Sequence, residues 1–318
     1  MTICVCVYLG DELARYGFGD GHPFGPERLS AFRDEVHRQG FDQQLLSCPC
    51  VSAEQAAIER FHSHDYVERV KTQSQQGVGY LDAGDTPVFP GVFEAANTVV
   101  GSVLDAVARI MGGDCRRAFV PIAGLHHARR DGAAGFCVFN DCGVAIETLR
   151  AVYGVRRIAY VDIDAHHGDG VFYAFEADPD LIFADLHEDG RYLYPGSGAA
   201  AETGRGAALG TKLNIPMPMR ADDALFMREW PRVEDFIRRA NPEFIILQCG
   251  ADSLDGDPLT HMAYSAASHA HAAGRLCVMA DEFCQGRLLA LGGGGYDLNN
   301  IASAWTAVLH ALLESREL

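Results

Sequence analysis

The sequence predicts an α/β fold in which helices flank a buried, mostly parallel sheet. Short, continuously apolar runs alternate along the chain with longer amphipathic stretches. Strands that are apolar on both faces are typical of parallel sheets covered by helices on both sides. Polar and glycine-rich residues follow several of these runs directly, which is where such sheets bind ligands. No repeat, low-complexity tract or linker interrupts the pattern, so we expect one domain over residues 1–318.

Each element is predicted from its local pattern. Short apolar runs predict seven strands, and five stretches that repeat apolar residues at helical spacing predict helices. The first of these helices stops at two consecutive glycines, residues 112–113. The predicted strands cover residues 3–8, 118–122, 157–163, 181–186, 212–215, 243–249 and 288–291, and the helices cover 93–111, 142–153, 223–240, 265–283 and 299–314.

Charge and composition argue against several classes of partner. The chain has 43 acidic and 26 basic residues, and its net charge of −17 disfavours nucleic acid and anionic membranes, which both need a basic face. No apolar run approaches the roughly 18 residues that cross a bilayer. The start of the chain resembles a strand more than a signal peptide. None of the ten cysteines forms a C-x-x-C pair, which argues against a zinc ribbon or a thioredoxin-like motif. Several of them lie in apolar runs, so we expect most to be reduced core residues of a cytoplasmic protein.

The segment 160–169 carries the strongest chemical signal. On an extended chain, residues two apart share a face, so Asp162, Asp164 and His166 point the same way. Asp252 follows another predicted strand, and with Asp164 and His166 it offers three ligands that leave room for a water. Three protein ligands and an open position are typical of a catalytic zinc site. The alternative is that these acids only cap loops, as most aspartates near strand ends do.

Adjacent histidines, His126 and His127, follow the strand predicted over residues 118–122. A metal-held water needs a base, and imidazole titrates near neutral pH. Asp162 and Asp169 are free to orient the two rings through their Nδ1–H groups, which fixes the tautomer and raises basicity. Taken alone, a pair of adjacent histidines on a loop more often has no catalytic role.

Four glycines and Tyr296 follow the last predicted strand. Such glycines let the backbone approach a ligand or adopt positive φ. A phosphate-binding loop is disfavoured because neither G-x-x-x-x-G-K-S/T nor G-x-G-x-x-G is present. A tyrosine at this position can donate a hydrogen bond to a developing oxyanion. An ordinary tight turn with a packed tyrosine is the alternative.

Together these segments resemble the histone deacetylase superfamily. The resemblance extends over residues 20–310, with its motifs in the family's order. The segments GDTPVFPG (84–91) and DPLTH (257–261) resemble the bacterial acetoin-utilisation deacetylases. The matching motifs are GHPFGPERL (21–29), FHSHDYV (61–67), LDAGDTPVFPGVFEAA (81–96), HHA (126–128), GFCVFND (135–141), VDIDAHHGDGV (161–171), GAD (250–252) and LGGGGYD (291–297).

The resemblance implies a three-layer, arginase/deacetylase-like fold. It implies metal-dependent hydrolysis of an Nε-acyl-lysine amide in an acetylated protein or peptide. By motif match, Asp164, His166 and Asp252 hold the metal. We expect zinc, although two carboxylates and one imidazole make a harder ligand set that Fe(II) or Co(II) also suits.

The same resemblance assigns the catalytic roles. His127, paired with Asp169, is implied to be the general base. Its neighbour His126, paired with Asp162, is implied to stay charged and stabilise the transition state. Tyr296 is implied to polarise the acyl carbonyl.

The resemblance also implies a substrate tunnel. Gly135, Phe136 and Tyr194 would line it around the lysine stem, and Asp85 at its rim would hydrogen-bond the substrate backbone. Tyr194 is a departure, because many relatives have phenylalanine there. Polyamine-specific relatives carry an acidic gate where this chain has Leu259, which disfavours a polyamine substrate.

A monovalent cation, expected to be potassium, is implied near the metal. Asp185 stands where many relatives have serine, which adds a negative charge at this position. The residues implied to surround the cation are Asp162, Asp164, His166, Asp185 and Leu186.

Three other functions remain open. An arginase-like enzyme with two manganese ions uses D-x-H-x-D spacing, but Asp169 falls one residue too late for that pattern. A catalytically silent acyl-lysine-binding protein is disfavoured because every catalytic position is filled. A deacylase of acetylpolyamines or other small acyl-amines is the third. A homo-oligomer is compatible with the sequence, which does not define one.

Overall fold

The computed structural model describes residues 5–19 and 21–314, and these fold around one eight-stranded sheet. The spatial order is β2-β1-β3-β8-β7-β4-β5-β6, and every neighbouring pair is parallel. The predicted α/β fold with a mostly parallel sheet is confirmed. The strands are β1 (Val5–Val7), β2 (Leu45–Ser47), β3 (Arg117–Val120), β4 (Ile158–Asp162), β5 (Leu181–Glu188), β6 (Lys212–Met217), β7 (Phe244–Gln248) and β8 (Leu288–Leu291).

Nine helices in the described ranges flank this sheet. They are α1 (Glu27–Gln39), α2 (Gln55–Ile58), α3 (His64–Gln76), α4 (Val92–Gly112), α5 (Asp141–Tyr153), α6 (Asp169–Ala174), α7 (Asp223–Ala240), α8 (Ala266–Phe283) and α9 (Leu298–Glu314). Helices α1, α9, α8 and α7 pack in that order, and α3, α4, α5 and α6 form a second packed group. The two groups and the sheet make the three layers that bury an all-parallel sheet.

Residues that can be recognised in the sequence set the limits of several helices. The side chains of Ser63, Asn140 and Asp222 accept hydrogen bonds from backbone N–H groups in the first turns of α3, α5 and α7. Gly40 and Gly154 end α1 and α5 in the left-handed conformation that glycine adopts without strain. Local chemistry therefore fixes these boundaries before tertiary packing is considered.

All seven predicted strands and all five predicted helices are present, with ends displaced by one or two residues. Positions 3 and 4 of the first predicted strand lie outside the described residues. The sequence reading did not predict β2, α1, α2, α3 and α6. Strand β2 has only three residues, lies at the edge of the sheet and is mostly exposed, so it has no buried apolar run.

The nine cysteines in the described part of the chain form no disulfide, and all except Cys50 are buried. Buried thiols of this kind behave as small core side chains. The tenth, Cys4, lies outside the described residues. Among the helices that the structure describes, none combines the length and apolarity needed to cross a bilayer.

Four neighbouring strands, β3, β8, β7 and β4, end at the same edge of the sheet because all of them are parallel. The loops that follow carry residues 126–127, 292–296, 252 and 164–169, in the same spatial order. The polar segments of four distant parts of the sequence therefore meet at one edge.

Candidate metal centre

Asp164, His166 and Asp252 form a compact group of potential metal ligands. Their ligand atoms all lie within 4.8 Å of one another. His166 Nδ1 is 3.1 Å from Asp164 Oδ1 and 3.1 Å from Asp252 Oδ2. Donors that bind one zinc ion at about 2.0–2.2 Å are separated by roughly 3–3.5 Å. The three donor atoms thus fit a single small cation.

Two glycines make room for the carboxylates of this group. A Cβ atom at residue 250 would lie 2.0 Å from Asp164 Oδ2, and one at residue 294 would lie 2.0 Å from Asp252 Oδ2. The N–H of Gly294 donates to Asp164 Oδ2 at 2.8 Å. Glycine is required at both positions because the backbone itself closes around the ligand atoms.

The group places two buried carboxylates beside one imidazole. Burial and the neighbouring Asp164 carboxylate raise the pKa of Asp252 to about 7. Burial disfavours a charged His166, but hydrogen bonds to Asp164 and Asp252 outweigh it and raise the pKa of His166 to about 10. A bound cation would replace the proton that His166 Nδ1 shares with the two carboxylates and would supply the positive charge in its place.

The adjacent histidines lie beside this group. His126 Nδ1 is 2.8 Å from Asp162 Oδ2, and His127 Nδ1 is 2.7 Å from Asp169 Oδ1. Both Nδ1 atoms therefore carry hydrogen. The two Nε2 atoms are 3.1 Å apart, so only one of them holds a proton in that contact. One histidine of the pair can therefore act as an acid and the other as a base.

A comparison with models of known protein families shows which family the chain belongs to. The family model described as the histone deacetylase domain matches residues 22–312. The chain belongs to the histone deacetylase family. The resemblance read from the motifs is confirmed, and membership indicates a deacetylase, which is a hydrolase.

Individual relatives agree with this assignment. The acetoin utilization protein AcuC of Bacillus subtilis (strain 168) is 35% identical over 303 residues, which cover 92% of this chain and 78% of AcuC. Histone deacetylase 19 of Arabidopsis thaliana is 34% identical over 95% of this chain and 60% of its own length. The crystal structure of the HDA15 HD domain matches with a TM-score of 0.90 and 27% identity, over 98% of this chain and 89% of that chain.

In this histone deacetylase family member, the two adjacent histidines have opposite charge preferences. Burial and the neighbouring charge of His126 lower the pKa of His127 to about 4. Burial also disfavours a charged His126, but the Asp162 and Asp164 carboxylates outweigh it and raise the pKa of His126 to about 10. At neutral pH the structure favours a neutral His127 beside a charged His126.

Tyr296 enters the site on the glycine-rich loop. Its backbone N–H donates to Asp257 Oδ2 at 2.8 Å, and its ring lies 5.9 Å from that of Phe136. The fully buried Arg28 donates to the carbonyl oxygens of Gly293 (2.6 Å) and Gly295 (2.8 Å). Burial and the Asp252 carboxylate raise the pKa of Tyr296 well above its usual value. The Tyr296 hydroxyl is therefore neutral and can donate a hydrogen bond. Arg28 holds the loop that carries it through two backbone carbonyl oxygens.

Two of the residues predicted to line the tunnel, Gly135 and Tyr194, lie against the ring of His127. A Cβ atom at residue 135 would lie 2.5 Å from His127 Cδ2, so only glycine fits there. Phe136 follows with a φ of 66°, which is uncommon for a bulky residue. The ring of Tyr194 is 5.1 Å from that of His127, and 45% of the tyrosine is exposed. Leu259 is also exposed, and its N–H donates to Asp257, which ties its loop to that of Tyr296.

Asp85 lies on a loop that is hydrogen-bonded to Phe136, one of the residues predicted to line the tunnel. The N–H groups of residues 84–86 all donate to Asp82 Oδ1, which makes the turn rigid. Thr86 Oγ1 accepts the N–H of Phe136 at 3.2 Å. Burial and the Asp82 carboxylate raise the pKa of Asp85 to about 6. Hydrogen bonds thus connect the turn that carries Asp85 to Phe136, the residue with the positive φ.

The set predicted for a monovalent cation shares two residues with the metal group and extends from them to β4 and β5. Asp185 on β5 pairs in register with Asp162 on β4, and both are fully buried. Asp185 accepts hydrogen bonds from His187 Nδ1 (2.7 Å) and from the N–H of Gly168 (2.9 Å). Leu186 has a fully buried apolar side chain. Potassium at this position stays a prediction.

Several residues that support the site were missed by sequence reasoning. Asn140 Nδ2 donates to the carbonyl oxygens of His126 (3.2 Å) and Ala128 (2.9 Å). The carboxylate of Asp141 accepts the N–H groups of residues 124–125 at 2.9 and 3.0 Å. These two residues therefore hold the histidine loop from both sides. Their signal was present in the motif GFCVFND, in which the sequence assigned a role only to Gly135 and Phe136.

Proposed function

We propose that the chain removes acetyl or related acyl groups from Nε-acyl-lysine in proteins or peptides, using one zinc ion held by Asp164, His166 and Asp252. The main support for the proposal is that these three donor atoms converge beside two adjacent histidines, of which His126 favours the charged form and His127 the neutral form. When bound, the zinc would polarise the acyl carbonyl and lower the pKa of a water molecule. Membership of the histone deacetylase family supports the reaction class.

The histidine pair would carry the proton transfers. Neutral His127 would accept the proton of the attacking water at Nε2, the atom that faces His126 Nε2 at 3.1 Å and would have to exchange that contact for the water, while Asp169 holds its Nδ1–H. Charged His126, supported by Asp162, stabilises the negative charge that develops. One ring of the pair then returns a proton to the leaving lysine amine, and the acid product departs.

The neutral hydroxyl of Tyr296 would donate a hydrogen bond to the oxyanion of the tetrahedral intermediate. Gly135, Phe136 and Tyr194 would enclose the aliphatic lysine stem, and Asp85 would bind the substrate backbone at the rim. The proposal also includes a potassium ion near the metal and a cytoplasmic location for the protein. The residues that would surround the potassium ion are Asp162, Asp164, His166, Asp185 and Leu186.

The test combines metal analysis with a substrate panel. The purified protein is stripped with a chelator, titrated with Zn²⁺, and assayed on acetyl-lysine peptide, longer acyl-lysine peptides and acetylspermidine. We expect one zinc ion per chain, acetate release from the acetyl-lysine peptide, no turnover without metal and recovery on adding zinc. Turnover of acetylspermidine alone would transfer the function to small acyl-amines. Peptide binding without acetate release would indicate a silent binding protein, and two metals per chain would favour the arginase-like alternative.

A further inference from the structure

Gln248 places a fully buried amide among the loops of the candidate site. It is the last residue of β7 and lies in register with Asp162 on β4 and with Leu291 on β8. A polar side chain at the end of an otherwise apolar strand needs partners for all of its polar atoms. Those partners show what the residue does.

The Gln248 amide uses both its donors and its acceptor. Nε2 donates to Asp164 Oδ2 at 2.8 Å and to the carbonyl oxygen of Gly124 at 3.1 Å. Oε1 accepts the N–H of Gly250 at 2.8 Å. Nε2 also lies 3.3 Å from His126 Nδ1, but that nitrogen gives its hydrogen to a carboxylate and leaves the amide hydrogens to the two oxygens. One side chain therefore joins three separate loops.

Each of these partners is next to a functional group. Asp164 is a candidate metal ligand, Gly124 precedes the two histidines, and Gly250 precedes Asp252 by two residues. The Gln248 amide thus links the metal group to the loop of the general base.

The surrounding backbone is shaped to admit this side chain. A Cβ atom at residue 293 would lie 2.4 Å from Gln248 Nε2, and one at residue 124 would lie 3.2 Å from Gln248 Cγ. Two of the glycines in the motifs therefore leave space for an amide of this length. The contact is a built feature of the site.

The orientation of the Asp164 carboxylate depends on this amide. Its Oδ2 accepts from Gln248 and from the N–H of Gly294, both at 2.8 Å. Its Oδ1 faces His166 Nδ1 at 3.1 Å. With Oδ2 occupied by two donors, Oδ1 remains directed at the candidate metal position.

We infer that Gln248 is a positioning residue, which orients Asp164 for the metal and fixes the distance between the metal group and the histidine loop. The inference rests on the proposed function, because the metal is what the orientation serves. Only an amide of this length supplies two donors and one acceptor to these three partners. Methionine has the same length and supplies none of them, while asparagine keeps the amide but is one methylene too short.

The test compares Gln248→Met and Gln248→Asn with the wild-type protein. Zinc affinity is measured by competition with a chromophoric chelator, without substrate. Loss of an outer hydrogen-bond partner of a ligand typically weakens metal binding by about 10–100-fold, and we expect a loss of this size in both variants. At saturating zinc, kcat should fall while KM for the peptide stays near the wild-type value, because Gln248 is fully buried and its hydrogen bonds go to Gly124, Asp164 and Gly250 and not to the residues predicted to bind the peptide.

Asn214→Leu is the matched control. Asn214 is a buried amide on β6, and its Nδ2 donates to the carbonyl oxygen of Glu202 at 2.8 Å. Its loss costs the same kind of buried hydrogen bond elsewhere in the sheet, so zinc affinity should not change. Thermal unfolding of the metal-free proteins shows whether each variant is folded. Should neither Gln248 variant fold, the side-chain amide resonance of Gln248 in the wild-type protein is followed during zinc addition.

The outcomes separate this inference from the proposed function. A wild-type protein that binds no zinc contradicts the proposed function and removes the basis of the inference. A wild-type protein that binds zinc while Gln248→Met binds equally tightly overturns only the role of Gln248. A wild-type Gln248 amide resonance that does not move on zinc addition overturns it as well.

Discussion

Replacing Tyr296 with phenylalanine is expected to lower kcat by about 10²–10³-fold while the protein keeps its metal. The substitution removes one hydroxyl and leaves the ring, which packs 5.9 Å from Phe136 on a loop held by Arg28. Because burial and Asp252 keep the hydroxyl protonated, its loss removes a hydrogen bond that matters most in the transition state. The measurement is kcat on an acetyl-lysine peptide, with zinc content determined on the same samples.

Tyr264→Phe is the control for this substitution. Tyr264 is buried against Phe226, and among the described residues its hydroxyl has no hydrogen-bond partner. Its replacement makes the same chemical change without affecting the site, so activity should be unchanged. Near-normal turnover by Tyr296→Phe would remove the tyrosine from the mechanism.

Asp252→Asn should lose both metal and activity. The asparagine oxygen can still accept the N–H of Ala165, which Asp252 Oδ1 now accepts at 2.9 Å, so the loop should keep its shape. The negative charge facing His166 Nδ1 is lost, however. Zinc sites made of several ligands bind with about 10–16 kcal/mol, so one lost ligand should cost roughly 3–4 kcal/mol and lower zinc affinity by about 10²–10³-fold. Zinc content after dialysis, with affinity from chelator competition, provides the measurement.

Asp255→Asn makes the same change three residues away. Asp255 is 58% exposed at its side chain and pairs with Arg220 at the surface. Exposed ion pairs contribute little to stability, so this variant should bind zinc and turn over substrate like the wild type. Full zinc occupancy in Asp252→Asn would refute the assignment of Asp252 as a ligand.

The fold could be predicted largely from apolar runs, and its omissions have local causes. Strand β2 is short and mostly exposed at the edge of the sheet, so no hydrophobic signal marks it. Helix α1 did carry a signal, because Leu29, Phe32 and Val36 are buried at spacings of three and four residues. Its many charged residues obscured that stripe.

The candidate site divides in the same way. Asp164 and His166 could be predicted because they alternate on an extended chain, and Asp252 because it follows a parallel strand. Arg28 and Gln248 could not, because Arg28 binds backbone carbonyl oxygens of a loop distant in sequence, and Gln248 binds a carbonyl oxygen and a carboxylate on two other distant loops. Almost every residue type has the same backbone carbonyl and N–H, so the sequence does not show which of these groups forms a hydrogen bond with a distant side chain. Such contacts become visible only when the loops are placed together.

The proposed function requires that Asp164, His166 and Asp252 hold one hydrolytic metal ion beside His127 and Tyr296. Anomalous diffraction at the zinc edge from crystals of the zinc-loaded protein tests it most directly. We expect one anomalous peak per chain, bonded to Asp164, His166 and Asp252, with His127 and Tyr296 facing its open side. A peak elsewhere, two peaks in the site, or no peak in a fully loaded sample would contradict it.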